Sequence, residues 1–165
     1  MQTLPPFLRG PIKCRYADID DVNFIHTNLE NLLEEEQNAS KYSQTIASLT
    51  NALFSEEKFA ECIVAEFNSN MAGFILYSVT NQNFTVFPSP GLFVHDMYVC
   101  KEYRRKGIAK ALGDYLITIA KSKKYSRIDG ILLKDNQVAM AFYQNNVKDI
   151  NVLDYINYMR LNLNI

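Results

Sequence analysis

The chain has 165 residues, a length suited to one domain, with 48% apolar and 21% charged side chains, close to the average soluble globular protein, which excludes a disordered or low-complexity chain. Seventeen lysines and arginines against eighteen acidic residues give a net charge of −1, so no global field draws the protein to nucleic acid or to an anionic membrane. The three cysteines (Cys14, Cys62, Cys100) are scattered without CxxC spacing and the histidines are His26 and His95 alone, which excludes a disulfide scaffold and a cysteine or histidine-rich metal site, so no metal is expected.

The start carries three prolines in residues 1–11 and no apolar run of signal-peptide length, so these residues are expected to form an arm on a cytoplasmic protein whose single domain spans 12–165. Ile12–Tyr16 reads as a first strand. Asp18 then sits as an N-cap, with Asp21 three residues on as an imperfect capping box. Val22, Ile25, Leu29, Leu32 and Leu33 follow at helical spacing to about Glu34. A second helix is expected from about Ser43, with Ile46, Leu49 and Leu53 on one face. Residues 62–67 and 71–80 read as two strands joined by an Asn/Ser turn. The stretch 81–91, with Pro88 and Pro90, is a loop before a buried-type strand at 92–99. Gly107 opens a helix whose Ile108, Leu112, Leu116 and Ile119 keep the 3.6-residue period. A strand at 127–133, a short helix at 138–145 and closing strands within 151–163 complete the order β-α-α-β-β-β-α-β-α-β-β. Hairpins and a strand-helix-strand crossover together imply an α/β fold of the α+β type, a central mixed, largely antiparallel sheet flanked by helices.

The chemistry concentrates in residues 91–112. Helix N-termini carry free N–H groups and positive charge from the macrodipole, yet Lys101, Arg104, Arg105, Lys106 and Lys110 gather there. An anionic ligand would reverse that unfavourable sign, and Gly107 and Ala109 would let phosphate oxygens reach the backbone. A basic solvated turn accounts for the same residues. A nucleotide P-loop does not, because no Gly-Lys-Ser/Thr follows.

Strand, Arg-x-x-Gly-x-Ala and amphipathic helix resemble the acetyl-CoA pyrophosphate loop of the GNAT superfamily of N-acetyltransferases, matched by Arg104, Gly107 and Ala109. About thirty residues on, residues 136–143 (Asn-Gln-Val-Ala-Met-Ala-Phe-Tyr) resemble that family's Asn-x-x-Ala-x-x-Phe/Leu-Tyr segment. The likeness runs from about Ile12 to Leu161. Within the family, Val94-His95-Asp96-Met97-Tyr98-Val99 is most similar to a strand of the diamine (spermidine/spermine) acetyltransferases, although His95 stands where that branch has Glu. Val147 stands where most members have Gly.

The resemblance implies acetyl-CoA as co-substrate. The pantetheine arm would run beside the backbone of Met97, Tyr98 and Val99, and the pyrophosphate would sit on Arg104, Arg105, Lys106, Gly107, Ile108, Ala109 and Lys110, with Asn136 and Tyr143 also at the cofactor. Tyr143 would be the general acid for the departing thiolate; a core tyrosine is the bland alternative. A primary amine with a pKa near 10.4 is free base in only about one molecule per thousand at pH 7, so a proton acceptor helps, and an imidazole suits that task at His95. Asp96 suits a substrate ammonium. Simple strand alternation would separate His95 from Asp96 unless the strand is bulged, as the family's is. Glu34, Glu35 and Glu36 lie between the first two helices, where a cationic acceptor would approach, and equally suit a solvated helix end. The resemblance therefore implies a homodimeric N-acetyltransferase acting on a small diamine or polyamine. A protein, peptide or antibiotic amine as acceptor, and a non-catalytic acyl-CoA-binding domain, remain open alternatives.

Overall fold

Contacts divide the chain into a unit ending at Ile131 and one beginning at Leu132. The computed structural model describes residues 4–154 and 158–160. The first unit is built on a six-stranded sheet with strands in sequence order: β1 (Phe7–Arg9), β2 (Ile12–Tyr16), β3 (Glu61–Phe67), β4 (Asn70–Thr80), β5 (Gly91–Val99) and β6 (Ile128–Gly130). Every neighbouring pair is antiparallel except β5 and β6, which run parallel. The first unit also holds α1 (Val22–Glu35), α2 (Ile46–Phe54) and, between β5 and β6, α3 (Ile108–Ser122). The second unit holds α4 (Gln137–Asn146), capped by the Asn136 side chain on Ala139 N–H.

Both faces of the sheet are covered, and the side chains of β3 show how. Ile63 and Ala65 join a cluster with Ile108, Leu112, Tyr115 and Leu116 of α3, whereas Cys62 and Val64 join one with Ile25, Leu29, Leu49 and Leu53 of α1 and α2. Each such aliphatic side chain contributes about 1.5–3 kcal/mol by leaving water. Gly73 lets β4 approach β5 closely, since a Cβ there would lie 2.5 Å from the Tyr98 carbonyl oxygen. The capping box expected at Asp18 and Asp21 forms, and it caps a short 3-10 turn, Ile19–Asp21, that leads into α1. Arg15 grips Asp21 through both terminal nitrogens, at 2.6 and 3.0 Å, and reaches Glu66 through Nε at 2.8 Å. That pairing ties the helix start to the sheet.

Several boundaries differ from the sequence reading. Part of the expected arm is strand: Phe7–Arg9 pair with β2 across a two-residue turn in which Gly10 takes φ +58°, and the Tyr115 hydroxyl donates to the Leu4 and Pro5 carbonyls. α2 starts at Ile46 rather than near Ser43 because Thr45 and Ser48 form a reciprocal capping box. The strand expected at 127–133 shortens to Ile128–Gly130, and among the described residues the exposed Ile131 and Leu133 beyond it have no strand neighbour. Of the closing strands expected within 151–163, residues 151–154 and 158–160 are not strand, and the remainder lies outside the described residues. Among the described residues, no helix is long and apolar enough to cross a membrane.

Candidate functional site

β5 is bulged at His95. Leu76 of β4 pairs with Asp96, and its neighbour Tyr77 pairs with Val94, so His95 has no partner across the ladder. The extra residue changes the phase of the strand. Before it, Leu92 and Val94 pack toward α3; after it, Met97 and Val99 do, while Tyr98 and Cys100 pack toward α1. His95 and Asp96 consequently share the α1 side instead of pointing apart. The His95 ring rests on Phe93, 5.2 Å between centroids, and its Nε2 lies 2.9 Å from Ser78 Oγ. Partial desolvation holds the imidazole below its ordinary pKa. Asp96 is half-buried, and burial pushes its carboxyl above the usual range. Among the described residues its carboxylate has no hydrogen bond or ion pair, and its charge reaches the Tyr42 phenol, itself pushed up to about 12 by burial first and then by Glu30 and Asp96. Tyr42 is fixed over His26, with centroids 5.4 Å apart. Ser78 and Tyr42 were not legible as site residues; only the cross-strand register and the α1–α2 connection bring them there.

The loop after β5 has the shape of an anion cradle. Arg105 takes φ +63° and Gly107 φ +85°, and α3 begins at Ile108 with no acidic residue in its first turn. Among the described residues the first backbone donor back into this turn is Ala111 N–H, to the Gly107 carbonyl. Among the described residues, no backbone acceptor within 3.5 Å is found for the N–H groups of residues 105–110, the donor set that binds a pyrophosphate at a helix start. A Cβ added at Gly107 would meet only Ile12 Cδ1, at 3.9 Å, so the space beside that backbone is open and the residues fit the group. The side chains behave differently. Lys110 pairs with Asp114 at 3.0 Å, and Lys106 Nζ sits over the Phe67 and Tyr103 rings at 5.1 and 5.2 Å. Arg104 turns back to the Val99 carbonyl and Glu35. Of the cations gathered here, Arg105 alone has no side-chain partner among the described residues.

Glu35, expected to face a cationic acceptor, is engaged by Arg104 at 2.8 Å, by Lys101 at 3.7 Å and by the Tyr98 hydroxyl at 3.0 Å. Glu34 is exposed. In the second unit Tyr143 stands on α4 beside Phe142, with centroids 5.3 Å apart, and burial raises its phenol pKa. His26 bonds the Gln44 carbonyl, and all three cysteines are buried thiols. A cavity of about 300 Å³ opens among Phe24, Asn28, Asn31, Met71, Tyr98 and Cys100, and neither His95 nor Asp96 lines it. Among the described residues, no three His, Cys, Asp or Glu side chains are grouped to hold a metal ion.

The sequence model of the acetyltransferase (GNAT) family matches residues 27–146. Solved structures share the fold. A possible acetyltransferase from Clostridium difficile 630 is 25% identical, with a TM-score of 0.74 over 93% of this chain and 99% of its own. An integron cassette protein from the mobile metagenome of V. cholerae is 23% identical, with a TM-score of 0.72 over 94% and 95% of the two chains. An aminoglycoside acetyltransferase from an uncultured soil metagenomic sample, in complex with trehalose, is 19% identical, with a TM-score of 0.72 over 94% and 100%.

Proposed function

The chain belongs to the acetyltransferase (GNAT) family, and from that premise we propose that it moves the acetyl group of acetyl-CoA to a small cationic primary amine, a diamine or polyamine, in the manner of the diamine acetyltransferases. The observation that carries the acceptor class is Asp96, a half-buried carboxylate without an ion-pair partner among the described residues. Burying a charge without a partner is costly, and a substrate ammonium is the partner that would remove the cost.

Transfer consumes a neutral amine and expels a thiolate, so the site needs a proton acceptor near the nitrogen and a proton donor near the sulfur. His95, mostly neutral at pH 7, can accept; Asp96 orients the cationic acceptor. Tyr143 is the donor in this reading, and a raised pKa keeps its proton in place across the working range. The amides of residues 105–110 hold the pyrophosphate, and the backbone of Met97, Tyr98 and Val99 runs beside the pantetheine. The reading extends to a cytoplasmic homodimer, as in the enzymes the chain resembles.

Thiol release from acetyl-CoA, measured across diamines, polyamines, amino acids, peptides and aminoglycosides, tests the acceptor. Two or more spaced amines should be preferred over a single one, a property that aminoglycosides, the class named for several structural neighbours, also have. Asp96→Asn should raise the KM of the best polyamine by about tenfold, the value of one charge-assisted hydrogen bond, and leave that of acetyl-CoA unchanged. Preference for a peptide or protein amine, with Asp96→Asn silent, assigns the acceptor to the other class.

A further inference from the structure

Arg104 opens the phosphate loop, yet its guanidinium turns away from the free amides. Nε donates to the Val99 carbonyl at 2.9 Å, one terminal nitrogen donates to both oxygens of Glu35 at 2.8 Å, and Cζ lies 5.5 Å from the centroid of the Tyr98 ring. The Tyr98 hydroxyl donates to the same Glu35 Oε1 at 3.0 Å. A carboxylate at the end of α1, a guanidinium at the head of the loop and a ring from β5 thus close on one another. Downstream, Arg105 is held in the left-handed region at φ +63°, a conformation unfavourable for a non-glycine residue that persists only where its surroundings fix it. The far end of the loop is fixed by Ile108, buried in the α3 core. At the near end, the Arg104 side chain is the contact that ties the loop to both β5 and α1.

We propose that Glu35 is a positioning residue for the acetyl-CoA loop: it holds Arg104 against the end of β5 and so keeps the amides of residues 105–110 aimed before the cofactor arrives. The inference rests on the reading of that loop as the pyrophosphate site, and it moves Glu35 from the acceptor to the cofactor side. The sign of its effect separates three roles. A bare carboxylate near a polyanion repels it, so neutralising Glu35 would tighten acetyl-CoA binding. An acceptor ligand would leave acetyl-CoA binding unchanged and raise the KM of the amine. The clamp predicts weaker acetyl-CoA binding.

Calorimetric titration of the full chain with acetyl-CoA, alongside steady-state kinetics with its best amine, reads the difference. For Glu35→Gln the Kd and KM of acetyl-CoA should rise about fivefold, with kcat within about twofold and the KM of the amine unchanged. Arg104→Ala should do the same, and the double variant should be no worse than the worse single one, because both remove one interaction. Tyr98→Phe removes one donor to Glu35 while keeping the ring, and should shift Kd the same way by less. It serves as the test if Glu35→Gln fails to melt cooperatively. Unchanged or tighter binding in these variants overturns the clamp. Gly107→Val tests the underlying loop reading separately: lost binding there with intact binding in Glu35→Gln rejects the clamp alone, and intact binding in Gly107→Val rejects both.

Discussion

A single inserted residue decides what β5 presents. With strict alternation His95 and Asp96 would face opposite sides of the sheet; with His95 unpaired between Val94 and Asp96, both reach the α1 side. The two groups then answer burial in opposite directions, since desolvation disfavours the charged form of each: the imidazole falls and the carboxyl rises. A base with a lowered pKa is free to accept a proton at neutral pH, which has a kinetic consequence. The log of kcat/KM for the amine should show a rising limb at a pH below the ordinary imidazole value of about 6.5. His95→Gln should abolish it, because Gln keeps a hydrogen bond to Ser78 and cannot take a proton. A second limb follows the substrate's own pKa, so amines of different basicity separate the two. A substrate-independent limb surviving in His95→Gln gives the base role to Asp96 or to solvent.

Elements with a strong period were legible in sequence, and so was the turn that opens α3. The apolar stripe of α3, the Asp18 cap and the β3–β4 hairpin all follow from local spacing. The Arg-x-x-Gly-x-Ala turn could be read because its conformation depends on the residues themselves: Gly107 at φ +85° is a local demand. What escaped depends on partners distant in sequence. The arm looked loose because its prolines are local, whereas its pairing with β2 and its bonds from Tyr115 are not. The Glu35–Arg104 pair could not be read, because nothing in a Glu-Glu-Glu run reveals an arginine 69 positions away. At this scale the loop and the helix it opens make one prediction. Gly107→Val adds a branched side chain to the loop backbone that the pyrophosphate must approach, so the KM for acetyl-CoA should rise tenfold or more, about 1.4 kcal/mol. The positive φ adds backbone strain, so circular dichroism must show α3 intact, with Gly107→Ala as a milder companion. Calorimetry showing unchanged affinity in a folded variant removes the loop from the cofactor site.

For the whole molecule, the carboxylate proposed to meet the acceptor works against stability. Asp96 occupies a half-buried position without an ion-pair partner among the described residues, and burial holds its folded-state pKa above the unfolded value of about 3.9. Between those two values the folded chain binds more protons than the unfolded one, so stability falls as pH rises through the folded-state pKa, and the whole cost is present above it. Asp96→Asn removes the charge and keeps the shape. Its melting temperature should exceed that of the parent at pH 7, by about 2–4 °C for each kcal/mol relieved, and the gap should close as pH falls below the ordinary carboxylate range, where both side chains are neutral. The same substitution should weaken polyamine binding, the usual trade between a preorganised site and a stable fold. Saturating polyamine should accordingly raise the melting temperature of the parent more than that of Asp96→Asn, since a ligand that binds only the folded state stabilises it by mass action. Thermal melts at about pH 3 and pH 7, with and without the amine, check all of this in one series. A variant that melts below the parent at pH 7 shows instead that the carboxylate is satisfied within the fold, and the acceptor ammonium must then be sought elsewhere.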